Sequence, residues 1–191
     1  MTAFVIGNGE SRKNIPVDDL KKHGMVIGCN AIYRDFNPHF VVTADPDIAL
    51  EISKSKYIDS NKVYTSYRDI SKLHDNFILE TRRKRFCAGI KACMVAIEYG
   101  QKELYLLGND LGSTNGLINN CYKNTPCYKK NWEDDKSHEI HIPQYISLIR
   151  NNGNIKFIRA MGKQSQQIPE FAKLKNYNEI NIADFISNFE L

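Results

Sequence analysis

The sequence predicts an α/β domain: a mostly parallel sheet flanked by helices, formed by residues 1–191 as one unit. Three observations predict it. Short apolar runs rich in β-branched and aromatic residues recur along the chain, as strands covered on both faces require. Stretches with apolar residues at helical spacing alternate with these runs in the second half. Several runs also stop at a polar or glycine residue, as strands do where they open into a ligand crevice. Strand–helix–strand order implies parallel pairing through right-handed crossovers, so the expected arrangement is Rossmann-like.

The elements follow in order. TAFVIG at 2–7, MVIGCN at 25–30 and HFVVTAD at 39–45 read as central strands. KVYTS at 62–66 and NFILE at 76–80 read as shorter ones. AGIKACMVAIEY at 88–99 reads as a helix, with Ile90, Cys93, Met94 and Ile97 on one face and Gly100 as its C-cap. ELYLLG at 103–108 is the clearest strand. Residues 142–152 read as an amphipathic helix carrying Tyr145, Leu148 and Ile149 on one side, with Pro143 in its first turn. NIKFIRA at 154–160 reads as the last strand, and 166–191 as one or two short helices. Between them, 111–137 is too long for an ordinary connection and reads as a lid that closes over a ligand.

Composition narrows the function. Of 191 residues, 42% are hydrophobic and 25% charged, which suits a globular domain. No stretch has the apolar length of a membrane span, and no basic-then-apolar leader is visible, so the expectation is a cytoplasmic protein. A net charge of +4 is too small to mark a nucleic-acid binder by itself. The concentrated basic run is Arg82, Arg83, Lys84 and Arg85, read either as a solvated surface or as a contact to phosphates. The five cysteines form no CxxC pair, which argues against a zinc site and for free thiols.

In an open α/β sheet, ligands bind beyond the carboxyl ends of the strands. Asn8, Asn30, Asp45 and Asp110 follow four predicted strands, so they are expected to converge on one crevice. Each is also an ordinary turn residue. Gly7 and Gly9 are read as letting the backbone approach a ligand and leaving N–H groups for an anion, with Asn8 between them offering both a donor and an acceptor. The loop has no lysine clamp and no third glycine at dinucleotide spacing, so the pocket reads as one built from amides.

FVIGNGESRKNI, GCNAIYRD, CAGIKACMVAIEYGQKELYLLGNDLGS and SHEIHIPQYISLIRNNGNIKFI together resemble the bacterial sialyltransferase family that decorates lipooligosaccharides. The likeness lies in motif order and spacing from residue 4 to about 160. NPHFVVTADPD is similar to a wider group that includes motility-accessory glycosyltransferase-like proteins and an archaeal pterin diphosphokinase. The sialyltransferase resemblance implies a metal-independent transferase that takes a nucleotide sugar as substrate and needs no cofactor. It implies that Asn8, Asn30 and Gly89 bind the donor and that Asp110 binds its ribose or shapes the turn; Gly7, Gly9, Ser11 and Asp45 are read as donor-binding beside them. It implies that His138 is the general base, with His141 three residues on as its competitor, and that Tyr122 and Tyr128 stabilise the leaving phosphate. Arg82, Arg83 and Arg85 would touch the acceptor or a phosphate. Ala88 replaces the family's serine and Glu10 its loop proline, so the donor is open to differ.

The leading expectation is therefore a glycosyltransferase acting on a glycan or small-molecule acceptor, with nucleic acid, such as a hydroxylated base in DNA, as a further acceptor class. Two other readings stay open. One is ATP- and magnesium-dependent pyrophosphoryl transfer using Asp45, Asp47 and Asp110. The other is a nucleotide-binding module without catalysis.

Overall fold

Among the described residues, eight strands form one all-parallel sheet in the order β5-β4-β3-β2-β1-β6-β7-β8. They are β1 (Thr2–Ile6), β2 (Met25–Cys29), β3 (Phe40–Thr43), β4 (Val63–Thr65), β5 (Phe77–Leu79), β6 (Glu103–Leu107), β7 (Lys156–Met161) and β8 (Tyr177–Asn181). The helices are α1 (Pro46–Ser53), α2 (Arg68–Ser71), α3 (Ala88–Glu98), α4 (Ser137–Asn151) and α5 (Ile182–Asn188). This computed structural model describes residues 1–80, 86–113, 115–130 and 137–191, the side chains of Ser137 and His138 excepted.

Alternation along the central strands divides the core in two. Ala3 and Val5 of β1 join Ile27, Cys29 and Val42 beneath α3 and α4. Phe4 and Ile6 point the other way, into a cluster with Val26, Val41, Ile48 of α1 and Phe185 of α5. This two-sided burial explains why the inner strands are continuous apolar runs. From β1 the chain builds outward to β5, then returns to place β6 on the other side of β1. The order therefore reverses between β1 and β6, and a crevice is expected at their carboxyl ends.

The seven strands anticipated from sequence are present, and the sheet holds an eighth. β8 lies where short helices alone were expected, and α5 follows it. Its sequence, YNEIN, hides it. Only Tyr177 is buried, because β8 is an edge strand held by backbone pairing to β7. α4 also begins earlier than anticipated, which puts Pro143 inside the helix instead of in its first turn. Among the described residues, no helix is long and apolar enough to cross a membrane.

Candidate functional site

At the carboxyl ends of β1 and β6 the two strands open into loops that touch each other. Gly7 N donates to Leu107 O at 2.7 Å and Gly9 N to Gly108 O at 2.8 Å. A Cβ on Gly7 would lie 2.5 Å from Gly108 O. This corrects one part of the sequence reading of the glycine loop: the N–H groups of Gly7 and Gly9, expected to be left for an anion, are spent on the approach of loop to loop. Glu10 N and Ser11 N are engaged too, on Asn119 Oδ1 at 2.9 Å and Asp110 Oδ2 at 3.0 Å.

Beside these loops lies a cavity of about 180 Å³. Its walls carry Gly7, Asn8 and Gly9 from the β1 loop and Asn30 from the end of β2. Cys87, Ala88 and Gly89 come from the start of α3, and Gly108 to Gly112 from the β6 loop. Asn119 and Asn120, with His141 and Tyr145 of α4, complete it. Three of the four polar residues expected to converge, Asn8, Asn30 and Asp110, are thus brought together, with Gly7, Gly9 and Gly89 beside them.

The local geometry explains each placement. Asn30 adopts φ 52°, a left-handed conformation that asparagine tolerates, and its Oδ1 accepts from Ala44 N at 3.3 Å. Asn8 Nδ2 donates to the Tyr128 hydroxyl at 3.1 Å, while Asn8 Oδ1 is buried with no hydrogen-bond partner among the described residues. Asp110 is buried, and its carboxylate ties three loops by accepting from Ser11 N and, at 2.8 Å, from Ser165 Oγ. Behind it, the fully buried Arg159 donates to Asn109 O at 2.7 Å and Asp110 O at 2.6 Å. Tyr145 donates to Asn109 Oδ1, and a Cβ on Gly89 would strike the same tyrosine hydroxyl. α3 enters the wall with no acidic residue in its first turn, so the positive end of its dipole is not neutralised from within the helix. Burial pushes the Cys29 and Cys87 thiols up, so both stay protonated at neutral pH.

Other expected site residues stand elsewhere. Asp45 is the N-cap of α1, its Oδ1 accepting from Asp47 N at 2.9 Å and Ile48 N at 3.3 Å. Ser11 packs against Gly162 and is not on the cavity wall. Tyr122 is buried in the core, where its hydroxyl accepts from Arg12 Nη2 at 3.1 Å. Tyr128 stands behind Asn8. The Glu10 carboxylate is balanced by Lys123 at 2.8 Å and not by Arg12, which is itself buried. Arg82, Arg83 and Arg85 lie outside the described residues, as does the His138 side chain. The backbone of His138 sits one turn before His141 in α4. Of the expected lid, residues 118–128 are docked: Cys121 N donates to Asn8 O at 2.7 Å, and Ile118, Asn119 and Tyr122 are buried. Asp45, Asp47 and Asp110 are not gathered into a metal site. Among the described residues, no three His, Cys, Asp or Glu side chains are grouped to hold a metal ion.

No protein-family model matches the chain, and no curated protein sequence matches it. Solved structures do. One is the sialyltransferase CstII from Campylobacter jejuni in complex with a substrate analogue, cytidine-5'-monophosphate. It is 19% identical over 83% of this chain and 79% of that one, with a TM-score of 0.54. Another is a variant of the sialyltransferase CST-II in complex with CMP, 15% identical over 100% of this chain and 98% of that one, with a TM-score of 0.57. The fold is sialyltransferase-like. Among the parts of the site that sequence reasoning missed are Asn119, Asn120 and Tyr145. The two asparagines look like loop formers, and Tyr145 falls on the apolar stripe of its helix. The signal available for Tyr145 was its place four residues after His141, on the same face.

Proposed function

We propose that this chain is a glycosyltransferase that moves a sugar from a nucleotide-sugar donor to an acceptor hydroxyl. The observation that carries the reading is the position and chemistry of the cavity. It lies at the sheet's switch point, where α/β folds bind nucleotides, and it presents amide side chains and the start of α3. The neighbours of the same fold hold CMP.

In this reading Asn8 and Asn30 hydrogen-bond the donor's nucleoside or sugar hydroxyls. The positive end of α3 faces the phosphate that leaves with the bonding electron pair. The acceptor oxygen forms the new bond to the anomeric carbon and gives its proton to a histidine of α4. A histidine suits that step because imidazole titrates near neutrality. Among the described side chains, His141 is the histidine on the cavity wall. His138, one turn earlier, is its rival. This reading routes no step through a metal: Asp110 spends its two carboxylate oxygens on Ser11 N and Ser165 Oγ, and Asp45 stands off the cavity wall as the cap of α1.

The test is a thermal-shift screen of nucleotides and nucleotide sugars with and without magnesium, followed by transfer assays of His141→Ala and His138→Ala. A ligand that binds the folded state raises Tm by mass action. Stabilisation by a nucleotide sugar without metal, with activity lost in one histidine variant while donor binding persists, is the expected result. Stabilisation only by ATP with magnesium would move the chain to phosphoryl transfer. Ligand binding indifferent to both histidines, with no transfer, would make it a binding module.

A further inference from the structure

Four residues beyond Asn30, the same turn of chain carries Arg34 away from the cavity. Its guanidinium takes both oxygens of Glu51 in α1, Nε to Oε1 at 2.7 Å and Nη2 to Oε2 at 2.6 Å. It also grips the segment after the β6 loop, donating to Thr125 Oγ1 at 2.8 Å and to Pro126 O at 3.1 Å. Its Cζ lies 5.8 Å from the ring centres of both Tyr122 and Tyr128. Glu51 is braced in turn by the Tyr33 hydroxyl and by Cys127 Sγ at 3.5 Å. Burial opposes the Glu51 carboxylate's charge, but the bonds from Arg34 and Tyr33 outweigh it and lower its pKa. Downstream of this grip stands Tyr128, whose hydroxyl accepts from Asn8 Nδ2 at 3.1 Å and from Ala31 N at 3.4 Å. With Nδ2 held there, the buried Asn8 Oδ1 is the side-chain atom without a partner among the described residues.

We infer that Arg34, seated on Glu51, is a positioning residue for the cavity: it clamps residues 122–128 so that the Tyr128 hydroxyl fixes the Asn8 amide with its oxygen toward the ligand. The geometry stands without a functional reading, and its consequence for nucleotide binding rests on the reading proposed above. Arginine is needed for its planar fork. A lysine offers a point charge and cannot reach both Glu51 oxygens, Thr125 and Pro126 together. A clamp that contributed only charge would accept lysine.

The experiment uses the full chain as Arg34→Met, Arg34→Lys, Glu51→Gln and Tyr128→Phe. NMR follows the Asn8 side-chain amide and backbone exchange at Cys121, Thr125 and Tyr128, and calorimetry measures affinity for CMP. The expected result is that both Arg34 variants move the Asn8 side-chain resonance as Tyr128→Phe does. They also raise exchange at 121–128 by at least about tenfold, the size expected for losing charge-assisted hydrogen bonds, and leave the strands protected. CMP affinity falls about tenfold in all three. Glu51→Gln keeps the shape of α1 and gives a smaller change of the same kind, which decides the matter if Arg34→Met does not fold. The inference is overturned if Arg34→Met leaves the Asn8 resonance and the exchange unchanged, if Arg34→Lys restores both, or if both change while CMP affinity does not. If the unaltered protein binds no CMP, the resonance and exchange still judge the clamp, and the loss falls on the nucleotide reading alone.

Discussion

Replacing Gly7 with alanine separates two explanations of the loop after β1. If the glycine exists for a ligand, Gly7→Ala leaves the unliganded protein as stable as before. The structure says otherwise. The new Cβ would stand 2.5 Å from Gly108 O, a backbone atom that cannot swing aside. Reaching the 3.4 Å of ordinary contact requires the β1 and β6 loops to part by about 0.9 Å (3.4 minus 2.5). That movement pulls on the Gly7–Leu107 and Gly9–Gly108 hydrogen bonds, at 2.7 and 2.8 Å. Overpacking of this kind costs about 1–3 kcal/mol. In a chain of this size each kcal/mol lowers Tm by roughly 2–4 °C. Urea unfolding followed by circular dichroism, without ligand, measures the loss. Gly153→Ala is the control, because a Cβ there meets nothing within 4 Å. The reasoning is refuted if Gly7→Ala matches the unaltered protein to within about 0.5 kcal/mol, the usual noise of such comparisons.

Three further outcomes are expected. Arg159→Met removes the donors to Asn109 O, Asp110 O and Gln166 O at a fully buried position, and should cost at least about 3 kcal/mol in the same unfolding assay. The Glu51 carboxyl is lowered from 4.5, so its stabilisation is fully present above that pH and is lost as pH falls through the lowered value. The Tm difference between the unaltered protein and Glu51→Gln should therefore be flat from neutrality to 4.5 and shrink below it. Of the five free thiols, Cys127 is exposed while Cys29 and Cys93 are buried. Ellman's reagent should thus label Cys127 first in the folded protein, and early labelling of Cys93 would contradict the described core.

The convergence of Asn8, Asn30 and Asp110 was legible because strand ends in a parallel sheet must share one edge. The inner strands were legible because burial on both faces leaves no choice but apolar residues. Asp45 shared the same sequence signal and took a different task, since an aspartate before proline at a helix start is an equally good cap. Tyr122 and Tyr128 looked alike as well. One is buried with its hydroxyl on Arg12 and the other braces Asn8, although their rings are neighbours, so the hydroxyl partners alone divide them. β8 escaped notice because an edge strand is held by backbone bonds that carry no side-chain signature.

What the sequence determined by itself is local and periodic: the inner strands, the principal helices, the turns and the polar residues that end the strands. What only tertiary structure decided is which distant groups meet. Gly7 needs its missing side chain because of Gly108, Asp110 is bound to Ser11 and Ser165, and Arg34 reaches Thr125 across the fold. Periodicity records which face of an element is buried, but not its partner. Partners are set by strand order and by the return of the chain beside β1, and these pairings leave no mark in the spacing of residues along the chain.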